Sequence, residues 1–208
     1  MKELVEKLKR QGVLKTARII AAFLANDRKK FVPLEYKPEA YVDAPLPIGR
    51  GQTISQPYTV AFMMELLQPE PGQKILDIGF GSGWTTAILA HIVGDKGWVY
   101  ALEVIPKLYE FGRSNLKKFP YENIKLYNKS GGEGLPEEAL FDRILVSAAA
   151  HKIPPAFKDQ LKVGGRLVIP VGRGVVFGQS IILLKKISQD KFEERSFPGF
   201  AFVPFVKK

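Results

Sequence analysis

The strongest chemical signal in the chain is Lys74-Ile-Leu-Asp-Ile-Gly-Phe-Gly-Ser-Gly83, an apolar strand running into a glycine-rich turn that opens a helix. Gly79 permits the tight turn, Gly81 lets a ligand approach the backbone, and Gly83 lets helix and strand pack closely. The spacing is GxGxG, not the GxGxxG of dinucleotide binders, and no Lys-Ser/Thr follows to grip a phosphate. Glu103 ends the next strand, twenty residues beyond Gly83. A carboxylate there can accept hydrogen bonds from both ribose hydroxyls of a nucleoside. Asp77 lies inside the first strand, where an unpaired carboxylate is costly. It is either a ligand-facing acid or a structural acceptor for turn amides.

These residues need a frame, and the hydrophobic pattern supplies one. Residues 2–11 and 14–26 read as helices, the first amphipathic with Leu4, Val5 and Leu8 on one face. Residues 33–57 are rich in Pro and Gly, and a long ordered loop in a compact domain is commonly functional. A helix runs from Pro57 to about Leu67, with Ser55 or Gln56 near its N-cap. Strands at 74–78, 98–103, 124–127, 141–147 and 166–170 alternate with helices at 84–93, 106–118 and 155–161. Residues 179–187 and 197–206 read as a final antiparallel pair. The alternation predicts an α/β fold with a mostly parallel sheet, helices on both faces and a helical N-terminal extension. Ligands in such sheets bind at the carboxyl ends of the strands. One domain is expected over 1–208: a helical region and active-site loop to residue 70, then the sheet core.

Composition excludes several chemistries. With no cysteine, there is no disulfide framework, thiolate metal site or cysteine nucleophile. No metal site is expected. The first twelve residues alternate charges and do not read as a signal peptide, and the apolar run Ile19–Ala25 is far below the ~20 residues needed to span a bilayer. A cytoplasmic protein without membrane partners is expected. The net charge is +10, of which +7 falls in residues 149–208. The basic residues there are scattered and no aromatic-interleaved stripe stands out, so a solvated surface outweighs a specific nucleic-acid site. His91 reads as a partly exposed helix residue, His151 as a loop residue near the expected cleft, and Trp84 as packing.

The glycine-rich turn and Glu103 in this strand context resemble the class I S-adenosylmethionine-dependent methyltransferases, which have a Rossmann-like fold. The resemblance implies S-adenosylmethionine as cofactor and S-adenosylhomocysteine as product. It implies that Glu103 binds ribose, that the turn passes under the methionine portion, and that Asp77 faces the cationic methionine end directly or through water. Further segments resemble the protein-L-isoaspartate O-methyltransferase family: Ala40-Tyr-Val-Asp-Ala-Pro-Leu-Pro-Ile-Gly-Arg-Gly-Gln-Thr-Ile-Ser-Gln-Pro57, Phe141–Ala150, Gln160–Gly172 and Phe202–Phe205. The Thr-Ile-Ser-Gln-Pro stretch is the specific one. This family methylates the α-carboxylate of isoaspartyl residues in damaged proteins, so isoaspartyl proteins or peptides are the implied partners and a monomer the implied state. Ser55 takes the place of the active-site serine, with Thr53 and Ile54 lining the cleft. The implied cofactor set is Thr53, Ile54, Asp77, Gly79, Phe80, Gly81, Ser82, Gly83, Glu103, Val104, Ser130 and Gly131.

The chain departs from the family pattern in three places. The family's Gly-Asp-Gly, whose Asp contacts the adenine amino group, is replaced within Asn128-Lys-Ser-Gly-Gly-Glu-Gly134, where Ser130 takes the Asp place and Glu133 is a substitute if the loop shifts. Phe80 replaces a small residue and could crowd the cofactor. Tyr58 stands where some members carry histidine. A member acting on another peptide carboxylate, or a non-catalytic binding protein on the same fold, remain open alternatives at this point. The +10 charge alone would also allow an RNA methyltransferase, which Thr53–Pro57 argues against.

Overall fold

A computed structural model of the chain describes residues 1–172 and 178–205. Helix α1 (Lys2–Arg10) buries Leu4, Val5 and Leu8, as its period requires, and α2 (Ala17–Ala25) follows. Short 3-10 helices at Arg28–Lys30 and Leu34–Glu39 lead to a small antiparallel hairpin, β1 (Leu46–Gly49) and β2 (Gln52–Ile54). Helix α3 (Pro57–Leu67) opens on proline, whose missing N–H costs nothing at a first helical position. The chain continues through β3 (Lys74–Ile78), α4 (Trp84–Val93), β4 (Trp98–Leu102), α5 (Pro106–Leu116), β5 (Ile124–Tyr127) and β6 (Phe141–Val146). Helix α6 (Pro155–Asp159), β7 (Leu161–Gly172), β8 (Gln179–Lys186) and β9 (Phe192–Phe200) complete it.

Seven strands form one sheet in the order β5-β4-β3-β6-β7-β8-β9. Every neighbouring pair from β5 to β7 is parallel, while β7–β8 and β8–β9 are antiparallel. The order reverses at β3, which has β4 on one side and β6 on the other, and that switch point is where open α/β sheets bind ligands. The strands bury both faces. Ile75 and Val99 pack into one apolar cluster with α1–α4, and Leu76, Ile78 and Ile144 into a second with Phe157 of α6.

The expected α/β architecture with N-terminal helices and an antiparallel end is what forms. Boundaries moved at the C-terminal side. The last strand is 192–200, not 197–206, and Val206 lies outside the described residues. Its Phe192-Glu-Glu-Arg-Ser-Phe197 run is largely exposed on the sheet edge, so it lacks the apolar run that marks a buried strand. Helix α6 ends at Asp159, and strand β7 begins at Leu161, the residue expected to end the helix.

Candidate active site

The sheet's carboxyl edge positions the site. At the end of β3 the turn residues Gly79, Gly81 and Gly83 have φ of 81°, 48° and 86°, backbone that side chains rarely tolerate. The Gly79 N–H donates to the Leu102 carbonyl at 2.8 Å and the Gly83 N–H to the Phe80 carbonyl at 2.8 Å. At the end of β4, Glu103 is buried. Its Oε2 accepts the Gly81 N–H at 3.0 Å and its Oε1 the Ile105 N–H at 2.9 Å. Burial pushes its carboxyl above the ordinary range, and the amides of Ile105, Gly81 and Val104 pull it back. A carboxylate offers about four acceptor positions, so with these amides bound it still has capacity for a ribose hydroxyl.

Around these residues lies an open cleft. Thr53, Ile54, Ser55, Gly79, Phe80, Gly81, Ser82, Glu103, Val104 and Gly131 line it, so the structure brings together ten of the thirteen residues singled out from sequence. A second groove opens beside it, lined by Asp43, Tyr58, Gly199, Phe200 and neighbours. Cleft and groove share Thr53, Ser55, Ser147 and Val203.

The other three sit outside the cleft wall. Gly83 is buried under α5, where an added Cβ would lie 2.9 Å from Leu116 Cγ. Asp77 is fully buried below the turn. Its Oδ2 accepts the Thr86 hydroxyl at 2.7 Å and the Thr85 hydroxyl at 3.1 Å, while Oδ1 has no partner among the described residues. Burial raises its pKa to about 6, the two threonine hydroxyls oppose the rise, and Glu103 adds to it. Its partners are therefore hydroxyls of α4, not turn amides. Ser130 is half-buried beside the cleft, while its neighbours Lys129 and Gly131 line the wall. Glu133 is exposed, and its carbonyl accepts Gln160 Nε2 at 2.7 Å. Gln160 Oε1 also accepts the Leu135 N–H at 2.8 Å, so one buried side chain pins this loop. Phe80 does not fill the cleft with its ring, which lies against Gly112 and 5.9 Å from the Tyr109 ring of α5.

Neither histidine is among the residues lining the cleft, and both are exposed. Trp84 is packing, edge-on to Phe23 at 5.4 Å, and also touches the cleft. The Ser55 hydroxyl has no partner among the described residues and does not cap α3. Asp43 does that from across the loop, its Oδ1 accepting the Tyr58 N–H at 2.9 Å. Sequence reading missed Asp43, Ser147 and Arg28. Ser147 directly follows β6, the position where such sheets place ligand contacts, so its signal was present. No group of His, Cys, Asp or Glu among the described residues could hold a metal, and no described helix is long and apolar enough to cross a membrane.

A glycine-rich turn at the switch point, a buried acid at the next strand end and a cleft adjoining a second groove define an S-adenosylmethionine-dependent methyltransferase of the α/β class. The family model for protein-L-isoaspartate(D-aspartate) O-methyltransferase matches residues 1–208, and the chain belongs to that family. It is similar to the protein-L-isoaspartate O-methyltransferases of Methanopyrus kandleri, 46% identical over 98% of this chain and 89% of the relative, and Methanothermobacter thermautotrophicus, 41% identical over 100% and 95%. Among solved structures it resembles a beta-aspartate methyltransferase from Plasmodium falciparum in complex with S-adenosyl-L-homocysteine. That likeness has a TM-score of 0.88 at 28% identity and covers 100% of this chain and 98% of the other.

Proposed function

We propose that this chain transfers the methyl group of S-adenosylmethionine to the α-carboxylate of isoaspartyl residues in damaged proteins, as the first step of their repair. The observation that carries the reading is the shared wall: Ser55 borders both the cofactor cleft and the adjoining groove, so a carboxylate entering from the groove meets the cleft beside its hydroxyl.

The residues fit the cofactor. Glu103 would hold the ribose hydroxyls, and Gly79, whose nearest side-chain neighbour would lie 4.0 Å from an added Cβ, leaves room for the methionine portion above the turn. The unpaired Asp77 Oδ1, buried below the turn, would put negative potential beneath that portion. Val104 and Gly131 would flank the base, with Ser130 at the edge of its pocket. When bound, the cofactor supplies an electrophilic methyl on a sulfonium centre.

The protein's part is alignment. The substrate carboxylate is already ionised at neutral pH, so no general base is needed. The Ser55 hydroxyl donates to one carboxylate oxygen and points the other along the axis of displacement. Buried Ile54 on β2 closes the wall against water, with exposed Thr53 at its rim. We place the working unit as a monomer, and sedimentation at enzyme concentrations tests that. A cysteine-free chain suits the reducing cytoplasm, where we place it.

The experiment is methyl transfer to an isoaspartyl peptide, with the aspartyl isomer as control. Selective methylation of the first supports the reading, and equal methylation of both overturns it. Failure to bind S-adenosylhomocysteine by calorimetry would leave a non-catalytic protein on this fold.

A further inference from the structure

Arg28 is the largest buried side chain after Trp84, with no exposed surface. Its Nη1 donates to the carbonyls of Ala40 at 2.8 Å and Val42 at 3.3 Å. Its Nη2 donates to those of Ala44 at 2.9 Å and Ser55 at 3.1 Å. Nε has no partner, and no carboxylate lies within ion-pair distance among the described residues. Asp43 is near enough to be felt, but its Oδ1 already accepts the Tyr58 N–H.

A buried charge without a counter-ion is a poor source of stability, since an apolar side chain of similar volume commonly serves as well or better. The geometry around Arg28 shows another use. Residues 40–44 and Ser55 are the two ends of the segment that carries the β1–β2 hairpin, and the guanidinium draws them to one point. The hairpin is a wall of the cleft: an added Cβ at Gly81 would sit 3.1 Å from Ile48 Cδ1. The Arg28 Cζ also lies 5.5 Å from the centroid of Trp84, the first residue after the glycine turn. The Trp84 indole N–H donates to the Asn26 carbonyl at 2.9 Å, two residues before Arg28. One side chain thus spans the element that carries Ser55 and the element that carries the cofactor turn.

We propose that Arg28 is a positioning residue that fixes Ser55 relative to the glycine turn, so that its guanidinium governs alignment in methyl transfer without touching substrate or cofactor. The proposal rests on the functional reading above only for Ser55's place at the reacting carboxylate. Arg28→Lys keeps the charge but cannot fan donors to four carbonyls in one plane. Arg28→Met keeps much of the volume and removes every donor. A displacement of about 1 Å at a reacting centre is worth about 100-fold in rate.

The test uses the full chain with both variants. Cofactor affinity is read by S-adenosylhomocysteine calorimetry, kcat and KM on an isoaspartyl peptide, and hydrogen exchange over 40–57 against β3–β5. Folded Arg28→Lys is expected to bind S-adenosylhomocysteine within about 3-fold of the parent while kcat falls at least 10-fold, with exchange faster in 40–57 only. Arg28→Met is expected to lose about 100-fold in kcat. A folded variant with unchanged kcat overturns the proposal, as does equal loss of cofactor affinity and kcat. If neither variant folds, the arginine serves stability and the proposal is likewise overturned. A parent enzyme inactive on the peptide would instead count against the functional reading, and the exchange pattern would still judge Arg28.

Discussion

The backbone N–H of Gly81 donates to Glu103 Oε2 at 3.0 Å, tying the turn after β3 to the acid at the end of β4. The two strands are in parallel register from Lys74–Trp98 to Ile78–Leu102, so this bond extends the ladder by one contact beyond their ends. Turn and carboxylate therefore move as one unit. The glycine matters because its neighbours leave little room: the Ile48 side chain lies above and Gly112 of α5 below.

Replacing Glu103 by Gln keeps an acceptor for one amide but removes the charge. Hydrogen bonds to charged groups contribute about 1.5–3 kcal/mol, and each 1.4 kcal/mol is about tenfold in affinity. Glu103→Gln should weaken S-adenosylhomocysteine binding by about 10–100-fold in calorimetry. Glu103→Ala should also lower the melting temperature, because the amides of Gly81 and Ile105 both lose their acceptor.

Asp77 gives a pH dependence with a definite sign. In the folded chain it holds its proton to about pH 6, while its ordinary value is 3.8. Between those values the folded state binds more protons than the unfolded one, so stability falls as pH rises through that window. The contribution amounts to up to about 3 kcal/mol. Urea melts from pH 4 to 6.5 should show the fall, and Asp77→Asn should flatten most of it. A residual slope of the same sign is expected from Glu103, which burial also shifts upward. An unchanged slope in Asp77→Asn would exclude this residue as its source.

Phe80 and Gly112 form a coupled pair. A Cβ at Gly112 would sit 2.6 Å from Phe80 Cε2 and 2.5 Å from the Gly81 carbonyl. Overpacking of this kind costs about 1–3 kcal/mol, so Gly112→Ala should destabilise by that much and weaken cofactor binding through Gly81. Phe80→Ala added to Gly112→Ala should cost less than the two single changes together, because the ring no longer competes for the space. Additive urea midpoints would show that the ring is not the obstacle.

How much of this was legible in the sequence follows from the kind of signal each part leaves. Strands β3, β4 and β6 are buried on both faces and show as short apolar runs. The turn between β3 and α4 shows because only glycine suits its backbone. The β1–β2 hairpin left no such trace: Pro47, Gly49 and Gly51 break the alternation, and its strands have four and three residues. Arg28 sits in Asp27-Arg-Lys-Lys30, which reads as a solvated charged turn. Only the three-dimensional path places its guanidinium under residues twelve to twenty-seven positions away. Phe80 looked like an intruder because its ring direction, toward Gly112, depends on a glycine thirty-two residues on.

Ser55 separates stability from catalysis more cleanly than any other cleft residue. Its carbonyl is held by Arg28 at 3.1 Å, so the backbone keeps its place whatever the side chain. Its hydroxyl caps nothing, because Asp43 serves the start of α3. Ser55→Ala therefore leaves no protein group unsatisfied, and its stability should change by no more than about 0.5 kcal/mol. What it removes is a donor to the substrate carboxylate. A hydrogen bond to a charged group, about 1.5–3 kcal/mol, corresponds to about 10–100-fold in rate where it acts in the transition state. The expected variant melts like the parent, binds S-adenosylhomocysteine within about 3-fold, and loses about 10–100-fold in kcat/KM on an isoaspartyl peptide. If that loss falls wholly in KM with kcat intact, Ser55 binds the carboxylate without aligning it. If neither constant moves, the hydroxyl has no part in the reaction, and the shared wall of cleft and groove must be completed by Ser147 instead.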